Sequence, residues 1–158
     1  MTPNIKTKWH LYKSEQDLVI PSMDSWVREN NSLMKRLVNE KQEIRLEVIS
    51  EVVCLHNEIE LEMLNTEGNL RRIYLTGEKP IVFAESFFSN EVIAKFKKFG
   101  KLENEPLGKF LFSDPSIMKG ETYVAAYELN DQVFQGRKCI YEYDGSKFSV
   151  IEVFLFND

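Results

Sequence analysis

Apolar positions along this chain recur at two spacings, a helical one in the first third and a two-residue alternation through most of the remainder. Ser22 or Asp24 is positioned to cap a helix through Trp26 and Val27, and from Ser32 the residues Leu33, Met34, Leu37 and Val38 return at helical intervals. From Glu43 the period shortens: Ile44, Leu46 and Val48 alternate with Glu43, Arg45 and Glu47, which predicts a half-buried strand to about Cys54. Residues 57–68 stay open, because Ile59, Leu61 and Leu64 suit either a short helix or an irregular crossover. Residues 70–75 and 81–88 read as antiparallel strands joined by the turn Thr76-Gly77-Glu78-Lys79-Pro80. Asn90 then caps a helix with Val92, Ile93, Phe96 and Phe99 on one face and Lys95, Lys97 and Lys98 on the other, ending at Gly100. Residues 107–112 have the length of a short helix, closed by Asp114-Pro115. Strands follow at 122–129, 138–143 and 148–156, the last two separated by Asp144-Gly145-Ser146. This order predicts one α+β domain over residues 1–158, built on a single antiparallel sheet of about five or six strands with helices packed on it.

Composition narrows the class. A chain of 158 residues, 43% hydrophobic and 28% charged, suits one soluble globular core. Residues 1–17 mix Lys6, Lys8 and Lys13 with Glu15 and Asp17 and lack the apolar core of a signal peptide, and no apolar run approaches the ~20 residues of a bilayer span, so a cytoplasmic protein without a membrane span is expected. The net charge of −5 argues against nucleic-acid or anionic-membrane partners, and an anionic ligand would have to be held by local groups. Cys54 and Cys139 lack redox or zinc spacing and read as reduced core residues. His10 and His56 stand without accompanying ligands or a nucleophile, and no Gly-rich phosphate loop is present, so neither a metal nor an organic cofactor is expected.

Two charges break the strand pattern. Arg71 shares its face with Ile73 and Leu75, whereas Arg72 points the other way with Leu70 and Tyr74; a one-residue shift would exchange the two. Glu152 is surrounded by apolar residues on both alternating sets of the last strand, so it must be paired, hydrogen-bonded or held protonated. Two readings stay open: a structural one, in which Arg71 and Glu152 form a buried ion pair or each is satisfied by backbone groups and neighbouring side chains, or a pocket with a guanidinium at one end and a protonatable carboxyl at the other, suited to a small ring carrying a carboxylate and an oxygen substituent. Glu85 and Arg137 are weaker candidates, with an edge or solvent-facing position expected for Glu85.

In order along the chain, Ser32-Leu33-Met34-Lys35-Arg36-Leu37 after Trp26, Leu70-Arg71-Arg72-Ile73, Pro106-Leu107-Gly108-Lys109-Phe110-Leu111-Phe112 and Ile151-Glu152-Val153-Phe154-Leu155 resemble the chorismate pyruvate-lyase family, with Gly136-Arg137-Lys138 as a fifth match. The likeness spans residues 26–156 and is poor over 55–68. It implies a six-stranded antiparallel sheet with the site under helical flaps, and ligand positions at Leu33, Arg71, Leu107 and Glu152. The family usually carries Met where this chain has Leu33, a mild exchange if that position acts through its backbone amide and packing. The implied activity is conversion of chorismate to 4-hydroxybenzoate and pyruvate, as in ubiquinone biosynthesis; a monomer without cofactor is expected, with Arg71 fixing the ring carboxylate and Glu152, its pKa raised by burial among Val150, Val153 and Phe154, acting as the acid. The same fold also serves as an effector-sensing module in transcription regulators, so a non-catalytic sensor of an aromatic or sugar acid is the alternative; the absence of room for a DNA-binding domain favours the enzyme.

Overall fold

The computed structural model describes residues 1–13, 18–41 and 43–157; Glu15 and Asp17 lie outside them. In chain order the elements are β1 (Asn4–Ile5), β2 (His10–Leu11), α1 (Asp24–Val27), α2 (Leu33–Glu40), β3 (Arg45–Glu58), β4 (Met63–Thr76), β5 (Pro80–Ser89), α3 (Asn90–Lys95), α4 (Gly108–Leu111), β6 (Ile117–Leu129), β7 (Gln132–Tyr143) and β8 (Ser146–Phe154). Among the described residues the eight strands form one antiparallel sheet in the order β1-β6-β7-β8-β5-β4-β3, with β2 also on β6. That is more strands than the five or six expected. The surplus is the two-residue pair β1 and β2, too short to carry any periodicity.

The segment left open at 57–68 is mostly strand. β3 runs on to Glu58, a 3-10 turn occupies Ile59–Leu61, and β4 begins at Met63, so the two form one long hairpin. Its apolar residues gave no inward pattern because Leu55, Ile59 and Leu64 are exposed on an edge strand and its tip. Gly68 in β4 has a packing reason: a Cβ there would lie 2.2 Å from the carbonyl oxygen of Phe88 and 2.7 Å from the Phe87 ring. The β6–β7 hairpin turns on Asn130 and Asp131, both at positive φ (51° and 63°), as the twist of a two-residue hairpin requires.

The helices differ in detail from expectation. Neither Ser22 nor Asp24 caps α1; Asp24 instead accepts bonds from Tyr12 Oη and Arg28 Nε. Ser32 caps α2, its Oγ accepting from Lys35 N at 3.2 Å. The cap of α3 is Ser89 rather than Asn90, and the helix stops at Lys95, with a 3-10 turn at Lys97–Gly100 in place of a continuous helix. The expected short helix at 107–112 is α4. The final strand ends at Phe154, two residues earlier than expected.

One face of the sheet carries the helices. Met23, Trp26, Leu33 and Leu37 pack on Ile73, Leu75, Val82 and Phe154, while Phe88, Val92, Phe99 and Leu102 pack on Cys139, Tyr141, Phe148 and Val150. The opposite face holds a smaller cluster around Phe83, Tyr127, Phe134, Ile151 and Val153. The sheet curls far enough for the β3–β4 tip to reach across it: Lys138 Nζ on β7 bonds Glu58 Oε2 and Glu60 Oε1, both at 2.7 Å, and Ser149 Oγ on β8 donates to Glu58 Oε1 at 2.9 Å. Among the described residues no helix is long and apolar enough to cross a membrane.

Candidate active site

The floor of the site follows from strand register. Arg71 on β4 lies opposite Ser86 on β5, which is two residues from Ala84; Ala84 lies opposite Glu152 on β8, and Glu152 opposite Arg137 on β7. With strands ~4.8 Å apart and ~3.4 Å per residue, Arg71 and Glu152 sit about 12 Å apart at the backbone. Ala84 and Ser86 are small where their strand neighbours Val82 and Phe88 are large, and the missing side-chain volume leaves a hollow above β5. Helical segments roof it: the start of α2 on one side and the Pro106–Leu107 turn leading into α4 on the other. The result is a cavity of about 450 Å³ lined by Arg71, Glu152, Leu33 and Leu107 among others. The four positions singled out in the sequence therefore meet at one cavity.

The Arg71–Glu152 pair that the sequence left open is not formed; each has other partners. Arg71 is 2% exposed and donates from Nη2 to the carbonyl oxygens of Glu103 and Glu105, both at 2.8 Å, which ties down the loop before α4. Glu51, opposite Arg71 on β3, holds the same loop from the other side by accepting from the backbone N–H groups of Leu102 (2.8 Å) and Glu103 (2.9 Å) as well as from Asn69 Nδ2. Between them these bonds hold Glu103 in a left-handed conformation (φ 54°) that a non-glycine residue seldom adopts. Burial alone would raise the Glu51 carboxyl, but the bonds from Asn69, Leu102 and Glu103 and the Arg71 charge carry it below the usual carboxylate range. Burial in turn lowers Arg71, opposed by the charges of Glu51 and Glu105. Arg71 Nε is buried without a hydrogen-bond acceptor among the described residues.

Glu152 is not the lone desolvated carboxyl expected from its apolar neighbours. Arg137 Nε donates to its Oε1 at 2.9 Å, and Arg137 Nη1 donates to the carbonyl oxygens of Trp26 (2.8 Å), Val27 (3.3 Å) and Glu29 (2.9 Å), the segment that leads into α2. Arg137, a weaker candidate by sequence, thus joins the cavity carboxylate to one flap as Arg71 joins the other. Arg72 points to the opposite face, 3.6 Å from Glu85. Glu85 lies on the face away from the cavity, on the inner strand β5 and partly covered, rather than at an edge or open to solvent as expected, because the curled sheet half-covers its second face as well.

Sequence reading passed over Ala84, Ser86, Glu51 and Tyr141. Small residues inside the aromatic run 81–88 were the available signal for the floor; for Glu51, a charge on an edge strand carries none.

The pattern of known sequences decides what this arrangement belongs to. Residues 6–158 match the family model described as chorismate lyase. The chain belongs to the chorismate lyase family. Among curated relatives, a protein of Pseudoalteromonas translucida named "Probable chorismate pyruvate-lyase" is 26% identical over 147 residues, covering 82% of each chain. One of the same name from Psychromonas ingrahamii is 26% identical over 149 residues, covering 82% of this chain and 80% of the relative. Membership of the chorismate lyase family extends through residues 55–68, where the motif resemblance was poor.

Proposed function

We propose that the chain converts chorismate to 4-hydroxybenzoate and pyruvate in the cavity above β5. The observation that carries this reading is Arg71: a buried guanidinium in the cavity wall, with Nη2 satisfied by backbone carbonyls and Nε–H left without an acceptor. A buried unsatisfied donor on a cation is costly, and a ligand carboxylate is the partner that removes the cost. The family and the names of its relatives supply the substrate.

In this reading Arg71 fixes the ring carboxylate, and Leu33 and Leu107 close the flaps over the ring. Loss of the enolpyruvyl ether together with the hydrogen on the hydroxyl-bearing carbon makes the ring aromatic, which supplies the driving force; orientation and proton transfer are what the protein adds. The proton that leaves the ring is the one the departing enolate needs to become pyruvate, so a single carboxyl group can carry it. Glu152 fills that role, taking the ring proton and serving as acid to the departing fragment, while Arg137 holds its orientation. No cofactor enters this scheme. A place in ubiquinone biosynthesis, carried over from the family resemblance, and a cytoplasmic location, expected from the apolar pattern of the sequence, belong to the same proposal.

Incubating the protein with chorismate and following ultraviolet absorbance tests it. A new aromatic product with stoichiometric pyruvate is expected. Saturable binding of 4-hydroxybenzoate without turnover of chorismate would instead make the chain a sensing module of the same fold.

A further inference from the structure

Beyond Arg71, the cavity holds another polar group without a protein partner. On β7 the residues Arg137, Cys139 and Tyr141 alternate onto the cavity face. Tyr141 is buried, with its ring stacked on Phe148 at 5.5 Å between centroids and 16° between planes. It lines the cavity, and among the described residues no hydrogen bond reaches its hydroxyl. Buried phenols nearly always find a partner, so an unbonded one in a ligand-sized cavity points to the ligand.

Position decides which end of the ligand it meets. Arg71 stands on β4 and Tyr141 on β7, with β5 and β8 between them, so they face each other from opposite sides of the floor. A ring anchored by its carboxylate at Arg71 turns its far end towards β8 and β7. On that side Arg137 commits Nε to Glu152 Oε1 and Nη1 to flap carbonyls, and Glu152 offers an acceptor, so the Tyr141 hydroxyl is the neutral donor there. Resting on the lyase reading above, we infer that Tyr141 is a substrate-contacting residue whose hydroxyl donates to the oxygen-bearing end of the ring, so that it selects oxygenated cyclic acids over bare ones. Its phenol remains a donor throughout the physiological range, since burial and the nearby Cys139 and Glu152 push its ionisation up against the pull of Arg137.

Calorimetric titration of the wild type and Tyr141→Phe with 4-hydroxybenzoate and with benzoate tests this, with melting temperatures measured on the same preparations. Phenylalanine keeps the stack on Phe148 and removes only the hydroxyl. Affinity for 4-hydroxybenzoate is expected to fall about threefold to tenfold, the range of one neutral hydrogen bond. Affinity for benzoate and the melting temperature should not fall. An equal loss for both ligands, no loss for either, or a lower melting temperature would make Tyr141 a wall or packing residue and overturn the inference. Failure of the wild type to bind either acid would overturn the Arg71 anchor as well. Selective loss for 4-hydroxybenzoate in a protein that does not turn over chorismate would uphold the contact and remove only the lyase activity.

Discussion

Arg71 and Arg137 divide their guanidinium nitrogens in a similar way: each gives some to backbone carbonyls of a flap, and of the rest Arg137 Nε meets the cavity carboxylate while Arg71 Nε has no acceptor among the described residues. Only arginine has enough donors in a fixed planar fork to do both; lysine at either position would lose one set of bonds. For Glu152 this means that its charge partner is also the anchor of the α1–α2 segment. Glu152→Gln keeps an oxygen for Arg137 Nε but removes the countercharge and the transferable proton. Turnover of chorismate per folded molecule is expected to drop ~100 to 10,000-fold, the usual contribution of acid–base assistance, while 4-hydroxybenzoate still binds. A lower melting temperature would report the unbalanced Arg137 charge and is a separate quantity. Unchanged turnover would remove Glu152 from the reacting atoms.

At the scale of the element, β4 carries two consecutive arginines to opposite faces, so one strand yields an internal comparison. Arg71 enters the cavity between β3 and β5, whereas Arg72 is paired with Glu85 on the other face and partly exposed. Arg71→Ala is expected to weaken 4-hydroxybenzoate binding by roughly 1.5–3 kcal/mol, the value of a charge-assisted contact, and Arg72→Ala to leave it near the wild-type value. Titration of both variants checks it, and equal losses would contradict the anchoring role. The choice of face was legible in the sequence only as a preference, since Leu70 and Tyr74 are apolar too; the pairing of β4 with both neighbours fixed it. The outer half of the same hairpin was not legible, because Ile59 and Leu64 sit exposed at the tip and follow no buried face.

Across the whole molecule, the curl of the sheet brings the hairpin tip onto the face away from the cavity, where Lys138, Glu58, Glu60 and Ser149 form a polar cluster with His56 3.4 Å from Glu58. Burial would raise the Glu58 carboxyl, but the bonds from His56, Lys138 and Ser149 and the Lys138 charge outweigh it and hold it below its ordinary value of 4.5. A carboxyl depressed on folding stabilises the fold fully above its unfolded pKa and loses that contribution as pH falls through the folded value. Glu58→Gln is therefore expected to cost on the order of 3 kcal/mol at neutral pH, with the gap to wild type closing below about pH 4.5. Denaturant midpoints measured from pH 7 to pH 3 check this, and a gap independent of pH would show that Glu58 contributes by packing alone. Cluster and cavity lie on opposite faces of one sheet, and both depend on contacts distant in sequence. Alternation and turn chemistry alone determined the six long strands in outline, the start of α2 at Ser32 and the presence of two misplaced charges, since these depend on neighbours a few residues away. Which guanidinium meets Glu152, which carbonyls each arginine holds and whether the Tyr141 hydroxyl is left unpaired were decided by the tertiary structure. Those pairings join residues 15 to more than 100 positions apart, such as Arg137 with Glu152, Arg71 with Glu103 and Arg137 with Trp26, and strand order and curl exist only once the sheet has closed.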